Sequence, residues 1–332
     1  MQLSSFDYTL PDDLIAQHPV EPRSSARLLV DTKPSPTHAT VQNLPSFLEA
    51  GDLVVVNNTK VIPARIRLRR ETGGAVEVLL LEPSHEARWE CLVRPGGKLK
   101  KGEVLLSEGG VPVCALVGRR ASASDATFEI DLLVDIDTLF ALGEMPLPPY
   151  IRQSPADTSR YQTVYAQRAA SAAAPTAGLH LTAEVLDDLT KAGVGYAEVE
   201  LVVGIDTFRP IEVDDVTHHV MHSEFYSVPS ATLEKIEDAK RVVAIGTTTT
   251  RALESMHHLN ANEGRTRIFI TPGHQWGVVD LMMTNFHQPR TTLLVMIEAF
   301  VGPRWRMLYE TAILNRYRML SFGDAMLLNR HR

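Results

Sequence analysis

The chain has 332 residues, of which 44% are hydrophobic and 22% charged, a balance typical of a globular protein that excludes disorder along its whole length. Its formal net charge of −7 argues against a general nucleic-acid binder, which is usually basic. The longest apolar run, Leu293 to Ile297, is too short to cross a bilayer, and the first residues lack a signal-peptide pattern. Cys91 and Cys114 form no CxxC pair and no disulfide framework, although two cysteines allow one bridge, and we expect a cytoplasmic protein that does not contact a membrane.

The first half of the chain changes in texture near residue 59. Residues 1–58 combine a predicted short helix, 11–17, with a buried strand that follows Gly51 and ends at Asn57. Residues 59–149 contain short, regularly spaced strands and glycine turns, and three prolines within 146–149 favour an extended linker. This spacing is typical of a small β-barrel or sandwich. The predicted strands are 64–69, 75–81, 89–93, 111–117 and 127–134.

From about residue 160 onward, helices and strands alternate, which is typical of an α/β fold. Helices are predicted at 183–190, with Thr182 as its N-cap, and at 232–239, 251–258 and 292–300. Strands are predicted at 197–203, 241–245 and 267–270. The simplest architecture is a discontinuous α/β domain, 1–58 and 150–332, interrupted by an all-β domain, 59–149.

Charge is distributed unevenly. The segment from Lys60 to Arg120 has 12 Lys or Arg and 7 Asp or Glu, a net +5, which leaves −12 on the rest of the chain. A basic segment on an acidic body can hold a polyanion. The alternative is a solvated sheet surface that happens to be rich in arginine.

Two segments of the second half concentrate residues suited to ligand binding. The small residues Pro175, Thr176, Ala177 and Gly178 let the backbone approach a ligand closely beside His180, although a tight buried turn explains them equally well. In segment 203–210, Arg209 can clamp a carboxylate or phosphate, or pair with a structural acid.

A third segment, 218–224, is rich in histidine. Its spacing matches no conventional zinc motif, so we predict that His222 or Glu224 binds substrate or acts as a base rather than holding a metal.

Two further segments lie where strands are expected to end, and ligands of α/β folds tend to bind there. Gly246, Thr247, Thr248 and Arg251 begin a helix whose free amides attract anions, or the threonines simply cap that helix. The segment matches neither a Walker A loop nor GxGxxG. The last segment, 280–287, offers Asn285 and His287 to a ligand while Phe286 packs inside; Asp280 and Thr284 belong to the same candidate site. The residues alone thus predict an α/β enzyme or ligand binder and no specific reaction.

Twelve short motifs occur in a fixed order along nearly the whole chain. They are Phe6–Pro11, Leu14–Gln17, Arg27–Leu29, Gly51–Leu53, Asn58–Arg65, Leu92–Gly96, Tyr161–Tyr165, Ala174–His180, Met221–Glu224, Gly246–Thr248, Thr284–His287 and Ser321–Met326. Their order resembles that of the S-adenosylmethionine:tRNA ribosyltransferase-isomerase family of queuosine biosynthesis. The resemblance implies a barrel-like α/β domain with an inserted β-barrel. It also implies transfer of the ribosyl carbons of S-adenosylmethionine to 7-aminomethyl-7-deazaguanine in a tRNA anticodon, which yields epoxyqueuosine, adenine and methionine.

That reaction requires a base for the proton on the carbon next to the sulfonium, and the candidates are His180, His222, Glu224 and His287. Asn285 can donate to the departing adenine, and Arg209 or Arg251 can hold the methionine carboxylate. Neither a metal nor a redox cofactor is needed. We expect a monomer in which the anticodon base stacks on Tyr161, Tyr165 or Phe286. The tRNA backbone would contact basic residues of the inserted domain: Lys60, Arg65, Arg67, Arg94, Lys98 and Lys100.

At several positions the chain departs from the family's usual residue. Val202 stands in place of a His, Leu181 of a Phe and Gln288 of a Leu, and Asp206 lies where a Gly is usual. A working His replaced at position 202 would alter the reaction. Two alternatives therefore stay open: a diverged paralogue acting on another adenosyl substrate, and a non-catalytic RNA-binding protein on the same scaffold.

Overall fold

The computed structural model describes residues 1–85, 87–97, 99–121, 126–153, 157–204 and 210–331, which divide into two units. The first unit consists of Met1–Thr59, Pro148–Arg168 and Ala174–Arg332, and the second of Lys60–Leu147 and Ala169–Ala173. The described strands are β1 (Arg27–Val30), β2 (Thr37–Thr40), β3 (Asp52–Asn57), β4 (Thr59–Val61), β5 (Arg65–Arg70), β6 (Ala75–His85), β7 (Arg88–Arg94), β8 (Val104–Leu106), β9 (Pro112–Ala121), β10 (Ala126–Leu132), β11 (Gly143–Glu144), β12 (Arg168–Ser171), β13 (Gly195–Leu201), β14 (Glu224–Ser227), β15 (Arg241–Ile245), β16 (Glu263–Thr266), β17 (Leu281–Asn285) and β18 (Ala325–Asn329). The described α-helices are α1 (Ile136–Leu142), α2 (Ala183–Lys191), α3 (Ser230–Asp238), α4 (Thr247–Leu259), α5 (Thr292–Val301) and α6 (Trp305–Leu314).

The second unit contains a closed antiparallel barrel. Six of the described strands pair in the order β5-β6-β7-β10-β9-β8, and β8 pairs back to the end of β5, which closes the ring; β11 pairs with the beginning of β5. In β5 the apolar Ile66 and Leu68 are buried while Arg67 and Arg69 are exposed. The alternation in the sequence thus separates an apolar interior from a basic exterior.

The first unit is organised around a large mixed sheet. In the described part of the chain its order is β16-β14-β13-β3-β15-β17-β18-β1-β2, with β13, β3, β15 and β17 mutually parallel. All residues of β3 and β17 are buried, as expected for central strands rich in valine, leucine and methionine that are covered on both faces. The predicted α/β fold with an inserted β-barrel is confirmed.

The last strand of the chain has a central place in this sheet. β18 pairs antiparallel with β17 on one side and parallel with β1 on the other. The N-terminal strands β1 and β2 therefore join the sheet through the C-terminal strand.

Two predicted elements were wrong. Segment 11–17 contains only a short 3-10 turn, Asp12–Leu14, because Ile15 leaves the helical path and bridges to Met319. The strand predicted at 267–270 is in fact β16, at 263–266, which pairs with β14; the apolar residues that follow it line a cavity instead. The N-cap prediction was right, since the Thr182 hydroxyl accepts from the Val185 amide at 3.4 Å. Within the described residues, no helix is both long and apolar enough to span a membrane.

Candidate active site

The site begins at the carboxyl edge of the central parallel strands. Because β15 and β17 are parallel and Ile245 pairs with Met283, both strands end at the same edge. Gly246 follows β15 with φ of 91°, a conformation that glycine adopts without strain, and its amide donates to the Met283 carbonyl at 2.7 Å. This turn starts α4 directly beside the end of β17.

A cleft with an empty volume of about 600 Å³, including space open to solvent, lies at this edge. Segments that are far apart in sequence form its walls: the turn after Ala174, the start of α4 and the end of β17. Its lining consists of Tyr150, Ala174, Pro175, Thr176, Ala177, Val203, Gly246, Thr247, Thr248, Thr284, Asn285, Phe286, His287, Gln288, Thr291, Leu293, Leu320 and Ser321. Ten of these were predicted site residues: Pro175, Thr176, Ala177, Gly246, Thr247, Thr248, Thr284, Asn285, Phe286 and His287.

Asn285 connects three parts of the site. Its side-chain oxygen accepts from the Thr176 hydroxyl at 2.9 Å, and its amide nitrogen donates to the Asp324 carbonyl at 3.3 Å. The same nitrogen lies 3.1 Å from Nε2 of His180. Because a carbonyl can only accept, the Asp324 contact fixes the amide orientation, and His180 therefore accepts through Nε2 and carries its proton on Nδ1.

Both buried histidines are held neutral. Burial lowers the pKa of His180 to about 4, with further lowering by the positive charges of Arg318 and Arg23. Burial alone lowers the pKa of His287 to about 3. His287 lines the cleft, and its Nε2 lies 3.1 Å from the Thr284 hydroxyl. His180 lies behind Asn285 and lines a separate, smaller cavity.

A second cavity, with an empty volume of about 350 Å³ that includes space open to solvent, shares Thr247, Thr248 and Leu293 with the cleft. It contains a buried ion pair in which Nη1 of Arg251 donates to Glu224, whose other oxygen accepts from the Gly204 amide at 3.2 Å. The remaining wall is largely apolar and consists of Met221, Ile268, Phe269, Ile270, Thr292 and Met296.

The threonines at the start of α4 do not cap the helix with their side chains. The hydroxyls of Thr249 and Thr250 donate back to the carbonyls of Ile245 and Gly246 at 2.7 and 3.1 Å. Thr247 and Thr248 instead line both the cleft and the second cavity. The capping alternative therefore does not account for these two residues.

Some predicted site residues lie outside the cleft lining. A Cβ on Gly178 would lie 2.0 Å from the Tyr165 hydroxyl, so this glycine is needed for close packing against a buried tyrosine. Tyr161 is fully buried and packs edge-to-face on Phe322 at 5.9 Å. Phe286 is also buried, although it forms part of the cleft wall. The stacking role of these aromatic residues stays a prediction.

Asp280 lies outside the cleft lining. It precedes β17 and therefore lies at the opposite end of that strand from Asn285. Its carboxylate accepts from Arg330 and from the Val242 amide, both at 3.0 Å. These contacts give Asp280 a structural role away from the cleft, and its predicted substrate contact stays a prediction. His222 is partly exposed and lines neither the cleft nor the second cavity.

The predicted tRNA-binding residues belong to the second unit. Lys60, Arg67, Arg94 and Lys100 are exposed, and Arg67 pairs with Glu144 at 3.0 Å. Arg65 is half-buried, 3.7 Å from Glu77. Lys98, Asp206 and Arg209 lie outside the described residues. Among the residues that are described, no group of three or more His, Cys, Asp or Glu is placed to hold a metal ion.

Sequence reasoning missed part of the lining. Tyr150 and Ser321 approach from distant segments and share a 2.7 Å hydrogen bond between their hydroxyls. Ser321 lies in one of the twelve motifs and could have been found there, whereas Tyr150 follows a proline-rich stretch that carries no such signal. Of the family departures, Gln288 lines the cleft, Leu181 lies in the core, and Val202 is partly buried next to the cleft residue Val203.

A family model described as "Queuosine biosynthesis protein" matches residues 3–328. The chain belongs to this family. Two similar proteins are named S-adenosylmethionine:tRNA ribosyltransferase-isomerase. The one from Thermotoga maritima is 47% identical, and the match covers 99% of this chain and 100% of the relative. The one from Acaryochloris marina is 46% identical, and the match covers 98% of this chain and 93% of the relative. A crystal structure of S-adenosylmethionine tRNA ribosyltransferase from Thermotoga maritima superposes with a TM-score of 0.55 and 38% identity, covering 97% of this chain and 99% of that one. The predicted family and the prediction of an enzyme of the ribosyltransferase-isomerase type are confirmed. In this member of the family, the cleft is the candidate active site.

Proposed function

We propose that this protein transfers and isomerises the ribosyl moiety of S-adenosylmethionine onto 7-aminomethyl-7-deazaguanine in tRNA, with release of adenine and methionine. The observation that carries the proposal is the convergence of four family motifs on one cleft: Ala174–His180, Gly246–Thr248, Thr284–His287 and Ser321–Met326. Relatives of 44–47% identity carry the name of this transferase, which supports the assignment of S-adenosylmethionine and tRNA as substrates.

Of the four candidate bases, His287 is the one that lines the cleft. Its imidazole is neutral at pH 7 and lines the cleft, so its lone pair can take the proton from the carbon next to the sulfonium. The sulfonium already acidifies that carbon. The amine of the tRNA base forms its bond to the ribosyl carbons, and the bonds from these carbons to adenine and to the methionine sulfur are broken. The reaction thus needs no resident cofactor, since S-adenosylmethionine is a consumed substrate.

His180 and Asn285 are proposed to act as a pair. His180 occupies one donor of the Asn285 amide, and Thr176 and Asp324 hold the rest of the group, so Asn285 is rigid. Because both N–H donors of this amide are occupied, Asn285 fixes this part of the cleft wall and has no donor left for the leaving adenine. His180 is accordingly a positioning residue in this proposal.

The tRNA is proposed to contact the exposed basic residues of the second unit, Lys60, Arg67, Arg94 and Lys100, which supply the positive charge that an overall acidic protein otherwise lacks. We propose a cytoplasmic monomer, in keeping with a substrate that is itself a cytoplasmic RNA.

The test is adenine release from S-adenosylmethionine, followed by chromatography, with and without tRNA that carries the precursor base. Release that requires this tRNA supports the proposal. Release without tRNA favours a paralogue acting on another substrate, and tRNA binding without release favours a non-catalytic RNA-binding protein; either result overturns the proposal. The His287→Gln variant should lose release by about 10²–10⁴-fold, the range for a general base. His258→Gln, an exposed histidine of the same unit, is the matched control and should keep full activity.

A further inference from the structure

Arg251 has a donor edge that the described residues leave unused. The residue is buried, with 4% of its surface exposed, and one of its nitrogens, Nη1, donates to Glu224. Its Nε and Nη2 atoms are also buried, and neither has a hydrogen-bond partner within the described residues. Unpartnered buried donors of a cation are costly, so a ligand that satisfies them gains binding energy.

The unused edge has the geometry that binds a carboxylate. Elsewhere in this chain the same two atoms hold a carboxylate with two parallel hydrogen bonds. Arg88 contacts Asp131 through Nε at 2.7 Å and Nη2 at 3.0 Å, and Arg241 contacts Asp52 through Nε at 2.8 Å and Nη2 at 2.5 Å. Arg251 therefore presents an edge suited to one carboxylate. Glu224 binds the guanidinium through Nη1, on the side away from this edge.

The surroundings fit an amino acid with an apolar chain. Arg251 lines the second cavity, whose other walls include Met221, Phe269 and Met296. Thr247 and Thr248 line both this cavity and the cleft, so the two spaces are adjacent.

We propose that the second cavity binds the methionyl end of S-adenosylmethionine, with the Nε–Nη2 edge of Arg251 bonded to its α-carboxylate. The apolar wall packs on the methylene groups, and the sulfonium lies at the boundary formed by Thr247 and Thr248, with the adenosyl part in the cleft. Glu224 is then a positioning residue for Arg251 and not the base. This inference rests on the proposed function.

The test compares two ligands that differ by the carboxylate alone. Binding of S-adenosylmethionine and of decarboxylated S-adenosylmethionine is measured by calorimetry, in the presence of tRNA without the precursor base so that no turnover occurs. The wild-type chain should bind the decarboxylated ligand about 10- to 100-fold more weakly, the effect of losing charged hydrogen bonds. In Arg251→Met the two affinities should become equal, through weaker binding of S-adenosylmethionine. Arg330→Met, which removes an arginine paired with Asp280 away from both cavities, should keep the wild-type ratio.

Equal binding of the two ligands by the wild-type chain, or a ratio that Arg251→Met leaves unchanged, overturns the inference. Should Arg251→Met not fold because Glu224 is left buried without its cation, the double variant R251M/E224M removes both charges and gives the same comparison. Adenine release in the presence of precursor tRNA separates the two proposals. Release together with equal binding of both ligands overturns this inference alone, and absence of both release and S-adenosylmethionine binding overturns the proposed function as well.

Discussion

Acidification from pH 7 to pH 5 should destabilise the first unit through two buried histidines. His180 and His287 have pKa values lowered from 6.5 to about 4 and about 3, whereas in the unfolded chain both recover the ordinary value. As the pH falls below about 6.5, the unfolded chain takes up protons that the folded chain refuses, so stability falls. The loss continues until the pH passes the folded values.

The size of this loss follows from the shifts. Each pH unit over which only the unfolded chain is protonated costs about 1.4 kcal/mol for each group. At pH 5 both histidines are still neutral in the folded chain, so each contributes about 2 kcal/mol and the pair about 4 kcal/mol relative to pH 7. Most carboxylates titrate below this window and contribute little to it.

Urea unfolding at pH 7 and pH 5, followed by tryptophan fluorescence, measures this difference. A Trp89→Phe background restricts the signal to Trp276 and Trp305, both in the first unit. The double variant H180Q/H287Q should lose most of the pH-dependent change, and the exposed-site control His258→Gln should keep it. If the double variant shows the same pH dependence as its parent, the two histidines do not account for the acid sensitivity and the reasoning fails.

Three further outcomes are expected. Gly178→Ala should destabilise the first unit by about 1–3 kcal/mol in urea unfolding, the usual cost of overpacking, because the new Cβ meets the Tyr165 hydroxyl. Tyr165→Phe alone should be nearly neutral, and in the double variant it should relieve much of that cost. Asn285→Ala removes three hydrogen bonds, so it should lower the free energy of unfolding by about 1–3 kcal/mol and slow adenine release. A variant with unchanged unfolding and unchanged release would contradict the role given to Asn285. Charge removal at Arg67, Arg94 and Lys100 should weaken tRNA binding and reduce the slope of log affinity against log salt by about 0.7–0.9 for each phosphate that the variant no longer neutralises; an unchanged slope would place the tRNA elsewhere.

Much of the site was predictable because the carboxyl ends of neighbouring parallel strands meet at one edge of a sheet. Gly246 and Asn285 were recognised as strand-end residues, and their strands, β15 and β17, are adjacent. Local sequence carries this information, since buried central strands are short apolar runs that end where glycine and polar residues begin.

The parts that were not predictable depend on contacts between distant segments. No local pattern indicates that Tyr150 meets Ser321, or that Asp280 pairs with Arg330 at the far end of its strand. The run at 267–270 has the composition of a strand, but β14 pairs with the residues just before it, and the apolar side chains line a cavity instead. Composition records how apolar a segment is, and pairing partners decide which structure it takes.

The central position of β18 has a consequence for synthesis of the protein on the ribosome. The hairpin of β1 and β2 is translated long before β18, yet β18 is the strand that connects this hairpin to β17 and the rest of the sheet. The nascent chain therefore has to leave the hairpin unpaired with the rest of the sheet until β18 has been made. A premature stop codon just before Ala325 would spare every residue of the cleft and still leave the sheet split in two.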